Sequence, residues 1–403
     1  MNEKNVIYRH SYFQMIEPYI GNNLIKVLIG QRRVGKSYIL LQLMDEIRKR
    51  DPLAEIIYIN KEDYAFDAIK NYADLISFLQ ARVKPEKMTY LFIDEVQDIE
   101  KFEKVLRSLQ SGGGYDIYCT GSNARLLSGE LATYLAGRYI QIRVFALSYV
   151  EFLRFHNLQD SSTSLQKYIR YGGMPHLINL KKEERVYYEY LRNVFDTIVL
   201  RDVVARYKVR NVSFLQDLIY FLADNIGSIV SAKRISDYLK SQKINLLPKS
   251  VLEYIYYLES VFFVERVKRT EIGGRKIFEI GDKFYFEDLG MRHALVPFQQ
   301  KDLNKVLENL VYHHLRAMHF DVFVGKQNDR EIDFVAEKNG KKHYIQVAYI
   351  IPDEKTHERE FGNLLKIGDN FPKMVVSMDE FAGGDYKGIA HWSIRKFLTS
   401  FRD

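Results

Sequence analysis

The sequence predicts an α/β protein built on a parallel sheet with helices on both faces, continued by helical and then mixed α/β segments. Three observations carry this. Short apolar runs alternate with helix-patterned stretches from about Leu24 to Val144; turn or polar residues bound each run; and the texture changes after about Glu151, where the strands stop. The runs are LIKVLIG (24–30), EIIYIN (55–60), TYLFID (89–94), YDIYCTG (115–121) and YIQIRV (139–144). Near-continuous apolar strands suit a sheet covered on both sides. Between them, KSYILLQLMDEIRKR (36–50) and IEKFEKVLRSLQ (99–110) space their apolar residues as helices do.

Phe152 to Arg210 reads as helices interrupted by YGGMP (171–175), a Gly-Gly-x-Pro break. From Val212 two helical stretches precede the turn SQKINLLP and a further helix, KSVLEYIYYLES. VFFVERVKR and KIFEIG then flank TEIGGR, the pattern of a β-hairpin with Gly at the turn. That order is the order of a winged helix-turn-helix. The remainder mixes helices and strands. The expected boundaries are 1–151, 152–211, 212–289 and 290–403.

The chain has 403 residues, enough for several cores, and a formal charge of +7, which leaves a polyanionic partner plausible without establishing one. A single cysteine, Cys119, excludes an intramolecular disulfide. No apolar run is long enough to span a membrane, and the first ten residues lack the apolar core of a secretory signal. A cytoplasmic protein is the expectation.

Gly30-Gln31-Arg32-Arg33-Val34-Gly35-Lys36-Ser37 matches G-x-x-x-x-G-K-[ST], with Tyr38 next on the helix it opens. Such a loop turns successive backbone N–H groups toward a β-phosphate, and the helix N-terminus adds positive potential. Lys36 would reach the β- and γ-phosphates, and Ser37 would place its hydroxyl on Mg²⁺. ATP is the expected nucleotide, because no guanine-reading N-K-x-D motif is present. The strand Tyr90-Leu91-Phe92-Ile93 delivers Asp94, a magnesium ligand or a ligand of its waters, and Glu95, placed to polarise the attacking water. A third strand ends in Thr120-Gly121-Ser122-Asn123, where Asn123 or Ser122, with Thr120 behind them, would contact the γ-phosphate or the water.

GQRRVGKS, LFIDEVQD and TGSNARLLSGELATYLAGR in this order resemble the STAND-related branch of the AAA+ ATPases of bacteria and archaea, which carry a C-terminal domain of unknown function. The resemblance continues through EFL, RYGGMP, TIVLRDVVARY and LENLVY…EIDFVAE…YIQVAY, nearly the whole chain. It implies a P-loop AAA+ sheet with a helical lid over residues 152–211, and puts Gly172, Gly173 and Pro175 in that lid over the nucleotide. AAA+ enzymes usually need an arginine that senses the γ-phosphate, often from a neighbouring subunit, which makes a homo-oligomer an open expectation. Arg138 ranks first, with Arg125, Arg201, Arg32 and Arg33 behind it.

Within the winged-helix segment Lys243, Lys249 and Ser250, with Tyr254, would face duplex DNA, and Arg269, with Arg266, Lys268 and Arg275, would decorate the wing. The competing use is packing against the ATPase. In the last segment Glu308, Asp333 and Gln346 resemble the layout of PD-(D/E)xK restriction-endonuclease-like folds, with departures. Gln346 stands for the second acid and Ala348 for the lysine, so the site reads as degenerate unless Lys342 or Lys326 substitutes. The functional expectation is a magnesium-dependent ATPase that couples hydrolysis to domain rearrangement and acts on DNA or a DNA-bound partner. The alternatives are a slow, ATP-controlled signalling switch with a protein partner and a nucleotide-regulated nuclease.

Overall fold

A computed structural model describes residues 7–82, 87–124, 135, 137–241, 244, 246–273, 281–328, 330–380 and 382–402. The chain forms two compact units. The first is Met1–Phe145 with Ser260–Phe262, and the second is Ala146–Glu259 with Phe263–Asp403.

The first unit is a five-stranded sheet in the order β2-β3-β4-β1-β5. Its strands are β1 (Ile25–Ile29), β2 (Glu55–Asn60), β3 (Thr89–Asp94), β4 (Tyr115–Gly121) and β5 (Tyr139–Arg143). Every pairing is parallel, so all carboxyl ends leave one edge. Because β1 lies beside β4 and β4 beside β3, the segments that follow these three strands become neighbours although far apart in sequence. Helix α1 (His10–Ile16) precedes the sheet, and α2 (Lys36–Arg50), α3 (Tyr72–Gln80) and α4 (Phe102–Gly112) connect its strands. Asn71 and Asp74 close a reciprocal capping box at the start of α3. Ile25, Val27, Ile29, Leu91, Ile93, Ile117 and Cys119 share one core with Leu75, Leu79, Val105 and Leu106 of the helices. Phe262 joins that core, and the Ser260 carbonyl accepts from the Ala124 amide at 2.8 Å.

One polar pair lies inside this sheet. Lys26 of β1 and Asp116 of β4 are 0% and 1% exposed and form an ion pair. Tyr118 donates its hydroxyl to Asp116 at 2.6 Å and the Gly21 amide does so at 2.9 Å, so the buried carboxylate is fully engaged.

The second unit opens with α5 (Tyr149–Phe155) and α6 (Ser162–Tyr171), then α7 (Glu184–Thr197), which runs on as a π-helix over Ile198–Ala205. Three helices follow, α8 (Val212–Asp224), α9 (Ala232–Ser241) and α10 (Pro248–Ser260). The expected hairpin is rearranged. Strand β6 (Val264–Val267) pairs antiparallel with β8 (Lys283–Phe286), beyond KIFEIG, whose residues 276–280 lie outside the described ones. Between them β7 (Arg269–Glu271) leaves the pair and runs parallel to β9 (Asp321–Gln327). The short, polar RTE segment therefore edges a seven-stranded sheet and is no wing strand. From the far edge that sheet runs β13 (Asp385–Tyr386), β14 (Ile389–Ser393), β12 (Lys373–Ser377), β11 (Lys341–Ala348), β10 (Arg330–Lys338), β9 and β7, and after α11 (Leu289–Leu295) the helix α12 (Leu303–Ala317) packs on it.

The Gly-Gly break is a site of close approach. A Cβ on Gly172, whose φ is +75°, would lie 2.4 Å from the Asp288 carboxylate, and one on Gly173 would lie 2.4 Å from the Leu147 carbonyl oxygen. The Gly173 amide donates to Asp288 at 2.7 Å. Among the described residues no helix is long and apolar enough to cross a membrane.

Candidate functional site

The first site is assembled where β1, β4 and β3 end. The chain leaves β1 through Gly30, where a Cβ would meet the Val144 carbonyl oxygen at 2.2 Å, so only glycine fits. Arg33 (φ 72°) and Gly35 (φ 99°) are left-handed, and Gly35 caps α2. This wraps the loop about the helix N-terminus, the arrangement that presents backbone N–H groups to an anion. Gln31, Arg32, Val34 and Lys36 are buried, Ser37 is half-buried, and Arg33 and Tyr38 are exposed. Lys36 Nζ donates to the carbonyls of Gly30 (3.0 Å) and Gln31 (2.9 Å) and lies 3.8 Å from Glu95 Oε1.

From β3, Asp94 accepts from the Thr120 hydroxyl, from Tyr58 at 3.3 Å and from Ser37. Burial raises the Asp94 carboxyl, and the bonds from Ser37 and Thr120 and the Lys36 charge only partly offset it. Glu95 sits in the left-handed region at φ 55°, and its amide donates to Thr120 Oγ1 at 2.9 Å. One hydroxyl on β4 thus fixes both acids of β3. Burial by itself would raise the Glu95 carboxyl, but Lys36, Arg32 and bonds from Gln97 and Ser122 outweigh it and hold the group below its usual value. A carboxylate kept ionised and facing the loop is what a water-polarising base requires.

Ser122 and Asn123 are both buried beyond the end of β4. Ser122 bonds Glu95 and accepts from Gln97 Nε2 at 3.4 Å. The residues fit a magnesium nucleotide: a glycine cradle, an ammonium on the loop, and the hard oxygens of Ser37 and Asp94 side by side. Lys36, Ser37, Asp94, Glu95 and Ser122 therefore come together, and Arg138 does not join them. Arg138 precedes β5, at the edge where β1 begins, and donates to Gln110 (3.2 Å) and Ser111 (3.1 Å) of α4. It lies about 13 Å or more of strand away from the loop and cannot reach the nucleotide of its own chain. Arg32, in contrast, lies in the loop and donates to Glu62 at 2.8 Å. Arg125 and Arg275 lie outside the described residues.

Sequence reasoning misses two supports, Arg9 and Gln97, and gives a third, Thr120, a lesser place than it holds. Arg9 is buried and donates to the carbonyls of Val34 and Phe145, each at 3.0 Å, which ties the phosphate loop to the N-terminal segment. No local pattern marks such an arginine. Thr120 was placed behind Ser122 and Asn123, whereas it links Asp94 to Glu95. Gln97, two residues past Glu95, donates to it.

The second unit brings together the residues of the nuclease-like layout. Glu308 of α12 and Asp333 of β10 surround the ammonium of Lys283 on β8, at 2.8 and 3.4 Å, and Glu331 lies 2.8 Å away. Tyr285 donates to Glu308 at 3.0 Å, and Gln346 accepts from the Asp333 amide at 3.4 Å. The cation in this cluster is therefore Lys283. Lys342, a candidate to supply it, pairs instead with Glu337 on the same strand pair at 2.8 Å. Burial and then Glu308 push the Asp333 carboxyl up to about 8. Burial also raises Glu308, against the pull of Lys283. Lys283 precedes the acids in sequence and on another strand, so spacing could not reveal it.

The expected DNA-facing residues are only partly outward. Lys249 is exposed, but Ser250 and Arg269 are half-buried, and Tyr254 packs edge-on against Phe214 with ring centroids 4.8 Å apart. The outward stripe of α10 is Lys249, Leu252, Glu253 and Tyr256. Lys243 lies outside the described residues.

A family described as an AAA domain matches residues 22–153, and a domain of unknown function (DUF8612) matches residues 162–302. An uncharacterized protein of Haemophilus influenzae is 34% identical over 392 residues, covering 96% of this chain and 97% of its own. The uncharacterized protein MJ1544 of Methanocaldococcus jannaschii is 31% identical over 362 residues, covering 86% of this chain and 79% of its own. Among solved structures, the Walker-type ATPase PABY2304 of Pyrococcus abyssi aligns with a TM-score of 0.48 and 16% identity, over 72% of this chain and 95% of that one.

Proposed function

We propose that this chain, which belongs to the family of the uncharacterized Haemophilus influenzae protein and carries an AAA domain at residues 22–153, is a magnesium-dependent ATPase whose hydrolysis drives rearrangement of the segments after the ATPase core. The observation that carries the reading is the convergence of Lys36, Ser37, Asp94, Glu95 and Ser122 from the ends of three adjacent parallel strands. In this reading the loop amides and Lys36 hold the β- and γ-phosphates, and Ser37 and Asp94 hold the metal. Bound magnesium supplies charge neutralisation at the phosphates. Glu95 takes the proton of the attacking water, and Asn123 and Ser122 sense the γ-phosphate. An arginine from a second copy of the chain completes the site in this reading, with Arg138 the first candidate; in its own chain it donates to Gln110 and Ser111. The sheet domain is taken as residues 1–151, the lid as 152–211, the winged helix as 212–289 and the nuclease-like domain as 290–403.

The partner is read as DNA or a DNA-bound protein, with Lys243 and Lys249 on its phosphates. The outward stripe of α10 favours a second reading, a slow ATP-controlled switch with a protein partner. Leu252 and Tyr256 offer apolar area there, and Glu253 opposes a phosphate backbone. The Lys283 ammonium already supplies the positive charge that a divalent cation would bring to Glu308 and Asp333, so the last domain is read as retained for binding or regulation rather than cutting. The test is ATP turnover by the full chain with and without duplex DNA over a salt series. Stimulation that fades steeply with salt supports the DNA reading, and slow turnover indifferent to DNA supports the switch.

A further inference from the structure

The attacking water of an ATPase has two protons, and Glu95 can accept only one of them. The second needs an acceptor that fixes the orientation of the water without competing for its proton. Gln97 offers such a group in direct contact with Glu95. Gln97 lies two residues past Glu95, on the one-turn 3₁₀ helix Val96–Asp98, and its Nε2 donates to Glu95 Oε2 and to Ser122 Oγ at 3.4 Å. With both donations made by the amide nitrogen, the carboxamide oxygen points elsewhere. That oxygen is fully buried and has no hydrogen-bond partner among the described residues. A buried acceptor without a donor is costly in a folded protein, on the order of 1–3 kcal/mol, and calls for a ligand to complete it.

The left-handed conformation of Glu95 is what places Gln97 there. At φ 55° the chain turns sharply at the end of β3, so the side chains of Glu95 and Gln97 meet over Ser122 instead of diverging. Apart from this contact, Glu95 faces Lys36 with its other oxygen.

We infer that Gln97 is a second water-holding residue of the ATP site: its Nε2 keeps the Glu95 carboxylate aimed, and its Oε1 accepts a hydrogen bond from the O–H of the attacking water that Glu95 does not deprotonate. The inference rests on the reading of Glu95 as the base. In the step, the water oxygen forms a bond to the γ-phosphorus as the bond from that phosphorus to the β,γ-bridging oxygen breaks. ADP leaves with that electron pair, one water proton passes to Glu95, and the other remains on the new phosphate oxygen, hydrogen-bonded to Gln97 Oε1.

The test uses the full chain with Gln97→Met, which keeps the length of the side chain but removes both hydrogen-bonding groups, and Gln97→Glu, which keeps an acceptor but loses the donor. Glu95→Gln serves as the control. Turnover is measured as a function of ATP and pH, and binding is measured by calorimetry with the non-hydrolysable analogue AMPPNP. Gln97→Met is expected to lower kcat about 10²-fold, the usual consequence of a misplaced reactant, with AMPPNP affinity within twofold of wild type. Gln97→Glu sets two carboxylates in contact, so the acid limb of its kcat profile moves to higher pH. Gln97→Met turning over within twofold of wild type, or losing AMPPNP affinity in step with kcat, overturns the inference. Those outcomes with an inactive Glu95→Gln remove Gln97 alone. An active Glu95→Gln removes the base assignment on which both depend.

Discussion

Replacing Lys283 by Met tests whether the carboxylate cluster of the second unit is held by an internal cation. The ammonium is 3% exposed and within 3.4 Å of Glu308, Glu331 and Asp333. Unit charges about 4 Å apart attract by roughly 4 kcal/mol at an effective dielectric near 20, and burying the ammonium costs several kcal/mol in return. The net cost of deleting one partner from such a cluster is about 3–5 kcal/mol, because the remaining charges stay buried. For a unit of this size that is a fall in Tm of about 10 °C. The effect depends on pH with a definite sign. Asp333 is raised to about 8 in the folded chain, above its unfolded value, so the folded state binds the extra proton. Stability contributed by this group is present below about pH 4 and is lost as pH rises toward 8. Without Lys283 the carboxyls shift further up, so the gap between variant and wild type should be small at pH 5 and widest at pH 8. Thermal unfolding followed by circular dichroism at both pH values reads this directly. A Tm within 2 °C of wild type at pH 8, or a gap that ignores pH, would refute the internal-cation argument.

Two further outcomes follow from packing around the first sheet. Gly30→Ala drives a methyl group into the Val144 carbonyl, so it should cost about 1–3 kcal/mol in stability and remove most nucleotide affinity, as measured by AMPPNP calorimetry. Unimpaired affinity would show that the loop tolerates the shift. Cys119 is completely buried and its thiol is pushed up to about 12 by that burial, so it should resist a thiol-reactive dye in the native chain and react at once in denaturant. Fast labelling of the native chain would contradict the packed strand.

The strands of the first unit were legible because their apolar runs are strong and separate. Even the charged members of those runs, Lys26 and Asp116, did not hide them, and each finds its counter-charge on the adjacent strand. The loop and the Asp94–Glu95 pair were legible for a different reason, since their chemistry constrains residue types at fixed spacing. What escaped was set by three-dimensional neighbours. Arg9 and Gln97 act through contacts that no local pattern encodes. Strand β7 is too short and polar to declare which sheet it joins. Ser250 and Tyr254 turn inward because the three-helix packing fixes which stripe of α10 is covered, and their sequence is silent on that rotation.

The central claim, that Glu95 is the base of an ATP-hydrolysing site, is tested most directly by single-turnover hydrolysis of magnesium-ATP by Glu95→Gln beside wild type. The account predicts that the variant still binds ATP, while its chemical step slows by about 10²–10⁴-fold. A variant that binds and hydrolyses ATP at the wild-type rate would contradict it.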